Sequence, residues 1–378
     1  MSTHFQKPRI LNVKTSSSYG CLNSASEAYW LSKEHLMNCF HHIRAHGGQT
    51  PGLDGVTFDS LSDHKWKIKI GKLAKAISND GYRPGPTKTC NIRKVNGGLR
   101  TIHIPNHIDK VPNRACLEAL SPHLEKVFVE WSYGYRPNRS HIQIFDKLSE
   151  CFKRGLTFFT QYDITKAFDN VRVSSLSRLM NNDYGAAPKV CALAKTLLLG
   201  TQPHRGVGLN QGEALSGLMF NLYMHEFHDK HLVDDMDDNV QIYRYADNLC
   251  VIGSSPEKIY TFKQKSFKLL ADAGFECTES DVVNLKEHAV EILGLNIRAD
   301  GYTIDFSLPE STWIRLSDSL DEAHNHPFPV RQIKMTVKGW RQATSPVSWS
   351  VKDQERLNKL LEGHGLNINL LEDSNEQD

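Results

Sequence analysis

The hydrophobic residues of this chain recur at helical spacing in several segments. Leu36, Phe40 and Ile43 are separated by four and three positions, which predicts a helix over 32–45 with one buried face. Gly47-Gly48 follows this segment and predicts the end of the helix. Further helices are predicted in other parts of the chain, over 110–129, 141–154, 212–232, 256–273 and most of the last seventy residues.

Other segments alternate hydrophobic and polar residues with the period of two that is typical of strands. NIRKVNGGLRTIHI (91–104) predicts a β-hairpin around an Asn-Gly-Gly turn. GLTFFTQYD (155–163) predicts a strand that ends at Asp163, and QIYRYADNLCVIG (241–253) a second hairpin with Ala246-Asp247-Asn248 at its tip. This order of elements predicts an α+β fold in which helices cover one face of a small antiparallel sheet.

The charged residues are unevenly distributed, although the net charge of the 378-residue chain is only +2. Between Arg83 and Arg139 there are ten Lys and Arg residues against four Asp and Glu residues. Acidic residues are concentrated elsewhere, in 234–238 and in the tail LEDSNEQD (371–378), which we interpret as solvated segments. A basic zone within a nearly neutral chain is typical of a protein that binds phosphates on one surface.

The cysteines and the hydropathy of the chain limit the classes of function. Eight cysteines are scattered without a CxxC pair, which predicts reduced and mostly buried thiols rather than a zinc site. The chain contains no run of eighteen apolar residues, and MSTHFQKPRI lacks the apolar core of a secretory signal. These features predict a cytoplasmic location.

Asp163 and Asp247 are the candidate catalytic residues, because each lies at the end of a predicted extended segment. Two carboxylates brought together on neighbouring strands repel each other unless one is protonated or both bind a cation. Magnesium fits such a pair, since it is bound by one or two carboxylates together with substrate phosphates. The alternative interpretation is that both are turn aspartates, which are common at hairpin tips.

Seven segments in order resemble the motifs of reverse transcriptases and favour the catalytic interpretation. DITKAFDNV (163–171), NQGEALSGLMFNLYM (210–224) and YADN (245–248) resemble three motifs of the palm, and EILGLNI (291–297) resembles the primer grip. Upstream, GGLRTIHIP and SYGYRPNRS resemble the fingers of group II intron enzymes and their bacterial relatives, and GLDGVT resembles their N-terminal segment. The resemblance covers roughly residues 50–300.

The resemblance implies a metal site and a nucleotide site. Asp163, Asp247 and the backbone carbonyl of Ile164 are implied to bind two Mg²⁺ ions, with Mn²⁺ as the alternative ion. Phe168 is implied to lie beneath the sugar, where it excludes a 2′-hydroxyl; a core phenylalanine is the alternative. The remaining implied positions are Arg100 and Lys94 at the triphosphate, Gln211 and Gly212 at the nucleotide and template pocket, and Lys286 at the departing pyrophosphate.

Three departures from the family pattern point to a divergent branch. Asn248 occupies the catalytic position that normally holds a second aspartate, through natural divergence or an engineered change, and this predicts a lower metal affinity and rate. NQG and SG (216–217) replace the usual PQG and SP, and VPNRACLEAL (111–120) lacks the usual basic start.

The predicted domains are those of a right-hand polymerase, with fingers over 1–152, a palm over 153–305 and a helical thumb over 306–378; residues 172–205 are assigned to the palm or, alternatively, to the fingers. In the thumb, basic residues recur at steps of three, four and three, opposite an apolar stripe. Such a stripe predicts contact with a duplex backbone, the alternative being a solvated face. The basic residues are Arg331, Lys334, Lys338 and Arg341, and the apolar ones are Val330, Ile333, Val337 and Trp340.

The predicted function is RNA-directed DNA polymerase, which extends a 3′-hydroxyl with deoxynucleotides on an RNA template by a two-metal mechanism. By elimination of the intron, retron and diversity-generating types, we predict a role in bacterial antiviral defence with a structured non-coding RNA. The alternatives are a catalytically weakened or inactive RNA-binding scaffold, favoured by Asn248, and a template-independent DNA polymerase; an RNA-dependent RNA polymerase is a weaker rival. The expected partners are the RNA, the DNA product and other subunits of a homo- or hetero-oligomer.

Overall fold

A computed structural model describes residues 24–93, 98–183, 187–202, 204, 206–325 and 329–366. The chain divides into two compact units. The first consists of Met1–Asn138, Asp163–Asp237 and Lys263–Thr278, and the second of Arg139–Tyr162, Asp238–Phe262 and Glu279–Asp378.

Twelve α-helices lie within the described residues. They are α1 (Ser24–Trp30), α2 (Lys33–His46), α3 (Asp63–Ser78), α4 (His107–Leu124), α5 (Ile142–Lys153), α6 (Val173–Arg178), α7 (Pro188–Leu199), α8 (Ala214–Phe227), α9 (Pro256–Asp272), α10 (Glu310–Ala323), α11 (Pro329–Ala343) and α12 (Val351–Gly363). Short 3₁₀ segments cover Phe58–Ser60, Ala167–Asn170 and Asp229–Asp235, and a π-helical turn covers Leu179–Asp183. None of the described helices is long and apolar enough to cross a membrane.

In the part of the chain that the structure describes, ten strands form three sheets. They are β1 (Lys88–Arg93), β2 (Leu99–Ile104), β3 (Phe158–Thr165), β4 (Val240–Tyr245), β5 (Asn248–Gly253), β6 (Glu276–Glu279), β7 (Val283–Asn284), β8 (Val290–Ile292), β9 (Leu295–Asp300) and β10 (Thr303–Ser307). The strand orders are β1-β2, β10-β9-β8 and β4-β5-β3-β6, and β7 also pairs with β3. The pairs β1–β2, β3–β7, β4–β5, β8–β9 and β9–β10 are antiparallel. The predicted α+β class is confirmed.

Helix α2 shows how closely the local sequence determines an element. The Ser32 hydroxyl accepts a hydrogen bond from the backbone N–H of His35 at 3.1 Å, which satisfies one of the unpaired donors at the helix start. Gly47 ends the helix, and Leu36, Phe40 and Ile43 are buried, as predicted. Ring contacts join Phe40 to Phe58 and Trp66, with centroids 5.8 and 4.9 Å apart, so that α2 and α3 share one core.

Helix α8 is surrounded by protein, since every residue from Leu215 to His225 is buried. The predicted helix over 212–232 is too long, because α8 ends at Phe227. His228 leaves the helical conformation, and its buried ring contacts the carboxylate of Asp229 and the hydroxyl of Ser266, each at 2.8 Å. These two hydrogen bonds satisfy a polar ring in the core and account for the early end of the helix.

Two other predicted boundaries are also shifted. The helix predicted over 110–129 covers His107–Leu124. β3 extends to Thr165, so Asp163 lies within the strand and not at its end. The α5 and α9 predictions, the strand pairing of both hairpins and the helical character of the C-terminal region are confirmed.

Candidate active site

Asp163 lies on the more accessible face of β3. Side chains alternate between the two faces of a strand, and the neighbouring Tyr162 and Ile164 are buried whereas Asp163 is half-buried. The backbone carbonyl of Asp163 accepts a hydrogen bond from the hydroxyl of Thr278 at 3.4 Å. The strand therefore presents the carboxylate while its neighbours fix the backbone in the core.

Asp247 lies in the two-residue turn of the β4–β5 hairpin. Tyr245 pairs with Asn248 across the hairpin, so Asn248 is the first residue of β5 and not part of the tip, contrary to the prediction. Ala246 has a positive φ of 56°, a conformation that is uncommon for residues other than glycine. Its carbonyl accepts a hydrogen bond at 3.0 Å from Arg244, whose side chain is 1% exposed. A buried cation thus fixes the turn.

Asn248 contacts the carboxylate beside it. Its side-chain amide donates to Oδ1 of Asp247 at 3.5 Å, and the residue is exposed whereas Asp247 is half-buried. An amide here adds a donor, whereas an aspartate would add a second negative charge next to the first. In the five-stranded sheet β5, which begins at Asn248, is the neighbour of β3.

Phe168 is held between two other aromatic rings. It lies in the 3₁₀ segment after β3, is 7% exposed, and stacks on Phe220 of α8 with centroids 5.0 Å apart. The ring of Tyr135 meets it edge to face at 5.7 Å. Tyr135 is itself 53% exposed, so the three contacting rings extend from the buried core to the protein surface.

Gly217 makes room for this arrangement. A Cβ at this position would lie 2.7 Å from Cγ of Tyr135, which is closer than carbon atoms approach. The SG that replaces the usual SP at 216–217 therefore has a physical consequence, because proline would displace the Tyr135 ring that contacts Phe168.

Gln211 and Gly212 lie against strand β2. The backbone N–H of His103 donates to the carbonyl of Gln211 at 2.8 Å. Gly212 has φ 104°, and a Cβ there would come within 2.8 Å of the Ile102 side chain, so only glycine fits without strain. Arg100 is exposed and, two residues before Ile102, lies on the same face of β2. The structure thus brings Arg100, Gln211 and Gly212 to one region.

Two further substrate positions are predicted, Lys94 and Lys286. Lys94 lies outside the described residues. Lys286 is exposed and follows β7, which pairs with Phe158 and Phe159 at the beginning of β3. Asp163 is four residues beyond Phe159, which is about 13 Å along an extended strand. This register does not by itself support the role of Lys286 in pyrophosphate departure, which stays a prediction.

The basic stripe of α11 lies opposite its buried face. Ile333 and Val337 are buried, and Trp340 packs against a core formed by α10, α11 and α12. Val330 was assigned to the apolar face, but it is 57% exposed because it lies in the first turn, beyond that core. Among the four basic residues, Arg331, Lys338 and Arg341 are exposed and Lys334 is half-buried. The Arg341 guanidinium also lies 5.5 Å from the Trp349 ring.

A buried carboxylate at Asp109 was missed from the sequence. It accepts hydrogen bonds from the Tyr82 hydroxyl at 2.8 Å, the Gly85 backbone N–H at 3.1 Å and the Asn106 amide at 3.0 Å. The carbonyl oxygen of the Asn106 side chain accepts in turn from the N–H of Asp54. The Asp109 network consists of Asp109, Tyr82, Gly85, Asn106 and Asp54. It connects GLDGVT (52–57) and YRPGP (82–86) to the start of α4. Burial, with Asp109 beside it, raises the pKa of Tyr82 well above its usual range.

Most of the described cysteines are buried, as predicted. The buried ones are Cys39, Cys116, Cys151, Cys191 and Cys250. Cys277 is half-buried, Cys90 is exposed, and Cys21 lies outside the described residues. Cys39 lies with His35 and Glu118 in a cluster of side chains that are capable of binding a metal. Glu118 is held by Arg114, and burial raises the pKa of the Cys39 thiol to about 12. The Cys39 thiol lies within hydrogen-bonding distance of His35 Nε2 and Glu118 Oε2, so the three side chains form a hydrogen-bonded cluster.

Comparison with known proteins places these features in a family. The family described as "Reverse transcriptase (RNA-dependent DNA polymerase)" matches residues 92–297, more than half of the chain. Protein YkfC of Escherichia coli K12 is 30% identical over 197 residues, covering 49% of this chain and 51% of YkfC. The group II intron-encoded protein LtrA of Lactococcus lactis is 31% identical over 186 residues, covering 48% of this chain and 30% of LtrA. The chain thus spans about half or less of these relatives.

Solved structures show only a distant likeness. A chain of a partial Cas6-RT-Cas1–Cas2 complex has 16% identity and a TM-score of 0.38, covering 60% of this chain and 38% of that one. Apo telomerase from Candida tropicalis, truncated from its C-terminal domain, has 14% identity and a TM-score of 0.41, covering 59% of this chain and 55% of that one.

Proposed function

Since this chain belongs to the reverse transcriptase family, we propose that it is an RNA-directed DNA polymerase that extends a 3′-hydroxyl with deoxynucleotides. The observation that carries the proposal is the ordered set of motifs, with Asp163 presented by β3 and Asp247 by the turn before β5. The proposed domains are those of a right-hand polymerase, with fingers over 1–152, a palm over 153–305 and a thumb over 306–378. The cytoplasmic location stays a prediction.

The proposed metal ligands are Asp163, Asp247 and the carbonyl of Ile164. All three offer oxygen atoms, both carboxylates are half-buried, and hard oxygen donors with accessible sides fit Mg²⁺, with Mn²⁺ as the alternative. Two such ions, when bound, activate the attacking hydroxyl and stabilise the leaving pyrophosphate. The protein's own contribution is to hold the carboxylates in place through the β3 backbone and the Arg244-supported turn.

The other proposed contacts involve phosphates and the base pair. Arg100 is exposed on β2, where its guanidinium can form paired hydrogen bonds with triphosphate oxygens. Gln211 and Gly212 are proposed to contact the nucleotide and template, and Gly212, which lacks a Cβ, lets this segment lie directly against β2. The α11 stripe is proposed to follow the backbone of the product duplex. Lys94 and Lys286 remain predicted substrate contacts.

Phe168→Ala is expected to relax the selection of the sugar. The ring is fixed by Phe220 and Tyr135, and a rigid bulky group excludes a 2′-hydroxyl more strongly than a mobile one. The preference for dATP over ATP, measured as the ratio of kcat/KM, is expected to fall by about 10–100-fold. Phe220→Leu serves as the control, since it removes the stacking partner and leaves Phe168. An unchanged preference in Phe168→Ala would contradict the role.

Asn248→Asp is expected to lower the Mg²⁺ concentration that gives half-maximal incorporation, by about threefold to tenfold. The substitution adds a second negative charge beside Asp247 in place of the amide that now donates to it, and an added carboxylate strengthens the attraction of a divalent cation. A Mg²⁺ titration at saturating dNTP measures the shift. Asp272→Asn, at the exposed end of α9, is the control for a general change in charge. An unchanged or higher Mg²⁺ requirement would show that position 248 does not act on the metal.

The experiment that tests the function is incorporation of labelled dNTPs on an RNA template annealed to a DNA primer, in Mg²⁺. Activity of the native chain supports the proposal, and activity of Asn248→Asp alone marks a weakened enzyme. If neither the native chain nor Asn248→Asp incorporates dNTPs, the result favours the RNA-binding scaffold, which Asn248 supports. Omitting the template from the same assay detects a template-independent polymerase.

We further propose that the biological role is antiviral defence with a structured non-coding RNA. The support is that the chain departs from the family pattern at 210, 217 and 248, as a divergent branch does. Sequencing the nucleic acid that co-purifies with the protein from its host tests this role. A discrete small RNA is expected, and intron RNA would contradict it.

A further inference from the structure

A large groove lies in the first unit, between the α1–α2 segment and α3. Its volume is about 1040 Å³, and its wall ends at Lys189 near the start of α7. Apart from Lys189, every residue that lines it lies between Glu27 and Ser78, before the region that matches the family. The groove contains none of the residues that the resemblance assigns to the metal or nucleotide site.

The groove is strongly basic. Five exposed lysines line it, and among the described residues none of them forms an ion pair. Glu27 is the one carboxylate in the lining, and it accepts hydrogen bonds from the backbone N–H groups of Lys189 and Val190 at the start of α7. The carboxylate thus satisfies a helix end and does not pair with a lysine. The five lysines are Lys33, Lys67, Lys72, Lys75 and Lys189.

The lysines surround a floor of small residues. Gly71, Ala74 and Ser78 follow Lys67 at steps of four, three and four, so they share one face of α3. The Lys33 side chain crosses from α2 over this face, since its Cε lies 3.5 Å from where a Cβ of Gly71 would be. Lysines from two helices therefore converge above a face of small residues, beside Leu31 and Ile68 of the lining.

This arrangement fits an extended polyanion better than a small molecule. Its five lysines come from α2, α3 and the start of α7, and among the described residues none of them is paired with a carboxylate. The phosphates of a nucleic-acid chain complement this charge. We infer that the groove binds the sugar–phosphate backbone of a nucleic-acid strand, at a site separate from the template-binding residues.

The chain itself contains one competing polyanion, the acidic segment 371–378. The segment 1–23 is basic, with Lys7, Arg9 and Lys14, and carries no acidic residue, so it does not complement the groove. A nucleic acid carries one charge per nucleotide and offers many more contacts than the four carboxylates of the tail. We therefore assign the groove to a nucleic acid and treat the tail as an outcome of the test.

Lysine acetylation of the intact protein, followed by mass spectrometry, tests the site directly. The probes are a 20-nucleotide RNA and the DNA of the same sequence, without dNTPs or Mg²⁺. Both are expected to protect Lys67, Lys72 and Lys75 from the reagent several-fold. Lys65 and Lys69 are the matched controls, because they are exposed on the same helix but do not line the groove. Equal protection of both sets, or of neither, would overturn the proposal.

A pair of matched variants adds a measurement of affinity. Lys72→Gln/Lys75→Gln is expected to weaken RNA binding about tenfold and to lower the slope of log K against log salt by about 1.4, as for two lost phosphate contacts on a single strand. Lys65→Gln/Lys69→Gln makes the same charge change outside the groove and is expected to leave both values nearly unchanged. If the groove variant binds RNA as tightly as the control or more tightly, the tail occupies the groove and the proposal is overturned.

The inference does not depend on the proposed polymerase activity. Both groove experiments measure binding without nucleotides, and both double variants are expected to keep dNTP incorporation on a pre-annealed primer–template within about twofold. If the groove lysines are not protected but dNTP incorporation is intact, only the proposal for the groove is overturned. Protection without any synthesis supports the groove and counts against the proposed function.

Discussion

Asp163→Asn is expected to lower dNTP incorporation by at least about 10³-fold while the protein remains folded. Asparagine keeps the shape of the side chain and its place on β3, but it removes the charge that is proposed to bind the catalytic ions. A factor of 10³ corresponds to about 4 kcal/mol of transition-state stabilisation, which is within the contribution of metal ions to such reactions. Single-turnover incorporation on a primed RNA template measures the loss.

Asp169→Asn is the matched control for this variant. Asp169 lies six residues further along the same motif and is exposed, and no catalytic role is assigned to it. The control is expected to retain activity within about threefold, and both variants should show the circular dichroism of the native protein. If Asp163→Asn retains more than about a tenth of native activity, or loses its fold, the assignment of Asp163 as a metal ligand is contradicted.

Asp109→Ala is expected to destabilise the protein by about 4 kcal/mol. The carboxylate satisfies the Tyr82 hydroxyl, the Gly85 N–H and the Asn106 amide, and each donor that is left unpaired in a buried place costs about 1–3 kcal/mol. The loss also removes the hydrogen bond from Gly85 that connects YRPGP to α4. Urea denaturation followed by tryptophan fluorescence measures the shift of the unfolding midpoint.

Two controls separate this network from the general effect of a substitution. Tyr82→Phe removes a single donor and leaves Asp109 with two partners, so it is expected to cost only about 1 kcal/mol. Asp59→Ala removes an exposed carboxylate from the nearby 3₁₀ segment and is expected to change the midpoint little. If Asp109→Ala unfolds at the same urea concentration as Asp59→Ala, the network does not have the stabilising role assigned to it.

The elements that could be predicted from the sequence are those with strong local signals. Helix α2 has a serine cap, a glycine end and a regular apolar face, and all three features are local in sequence. The two hairpins likewise follow from alternating residues around short turns. The motif segments could be recognised because the residue types around Asp163 and Asp247 are specific in combination.

The features that were missed depend on contacts between distant segments. The carboxylate of Asp109 has partners at 82, 85 and 106, and nothing in the sequence around it indicates that it is buried. The end of α8 depends on Ser266, 38 residues after His228. Val330 fitted the helical period but lies beyond the end of the core that the period was expected to cover.

The proposed catalytic pair also clarifies why Asn248 can be tolerated. Asn248 is the exposed first residue of β5, and its amide still contacts Asp247, so the hairpin keeps its geometry without a second charge. The departure at 217 has a comparable explanation, since Gly217 makes room for the Tyr135 ring beside Phe168. These departures adjust the surroundings of the motif residues and leave both aspartates in place.

Asp163 and Asp247 are proposed to bind one divalent ion together. Mn²⁺ titration followed by electron paramagnetic resonance measures this binding directly. The native protein, Asp163→Asn, Asp247→Asn and the double variant are titrated in the presence of dNTP. If the ligands share an ion, each single variant loses most of the affinity and the double variant loses little more. Free-energy losses that simply add, or a single variant with native affinity, would contradict the claim.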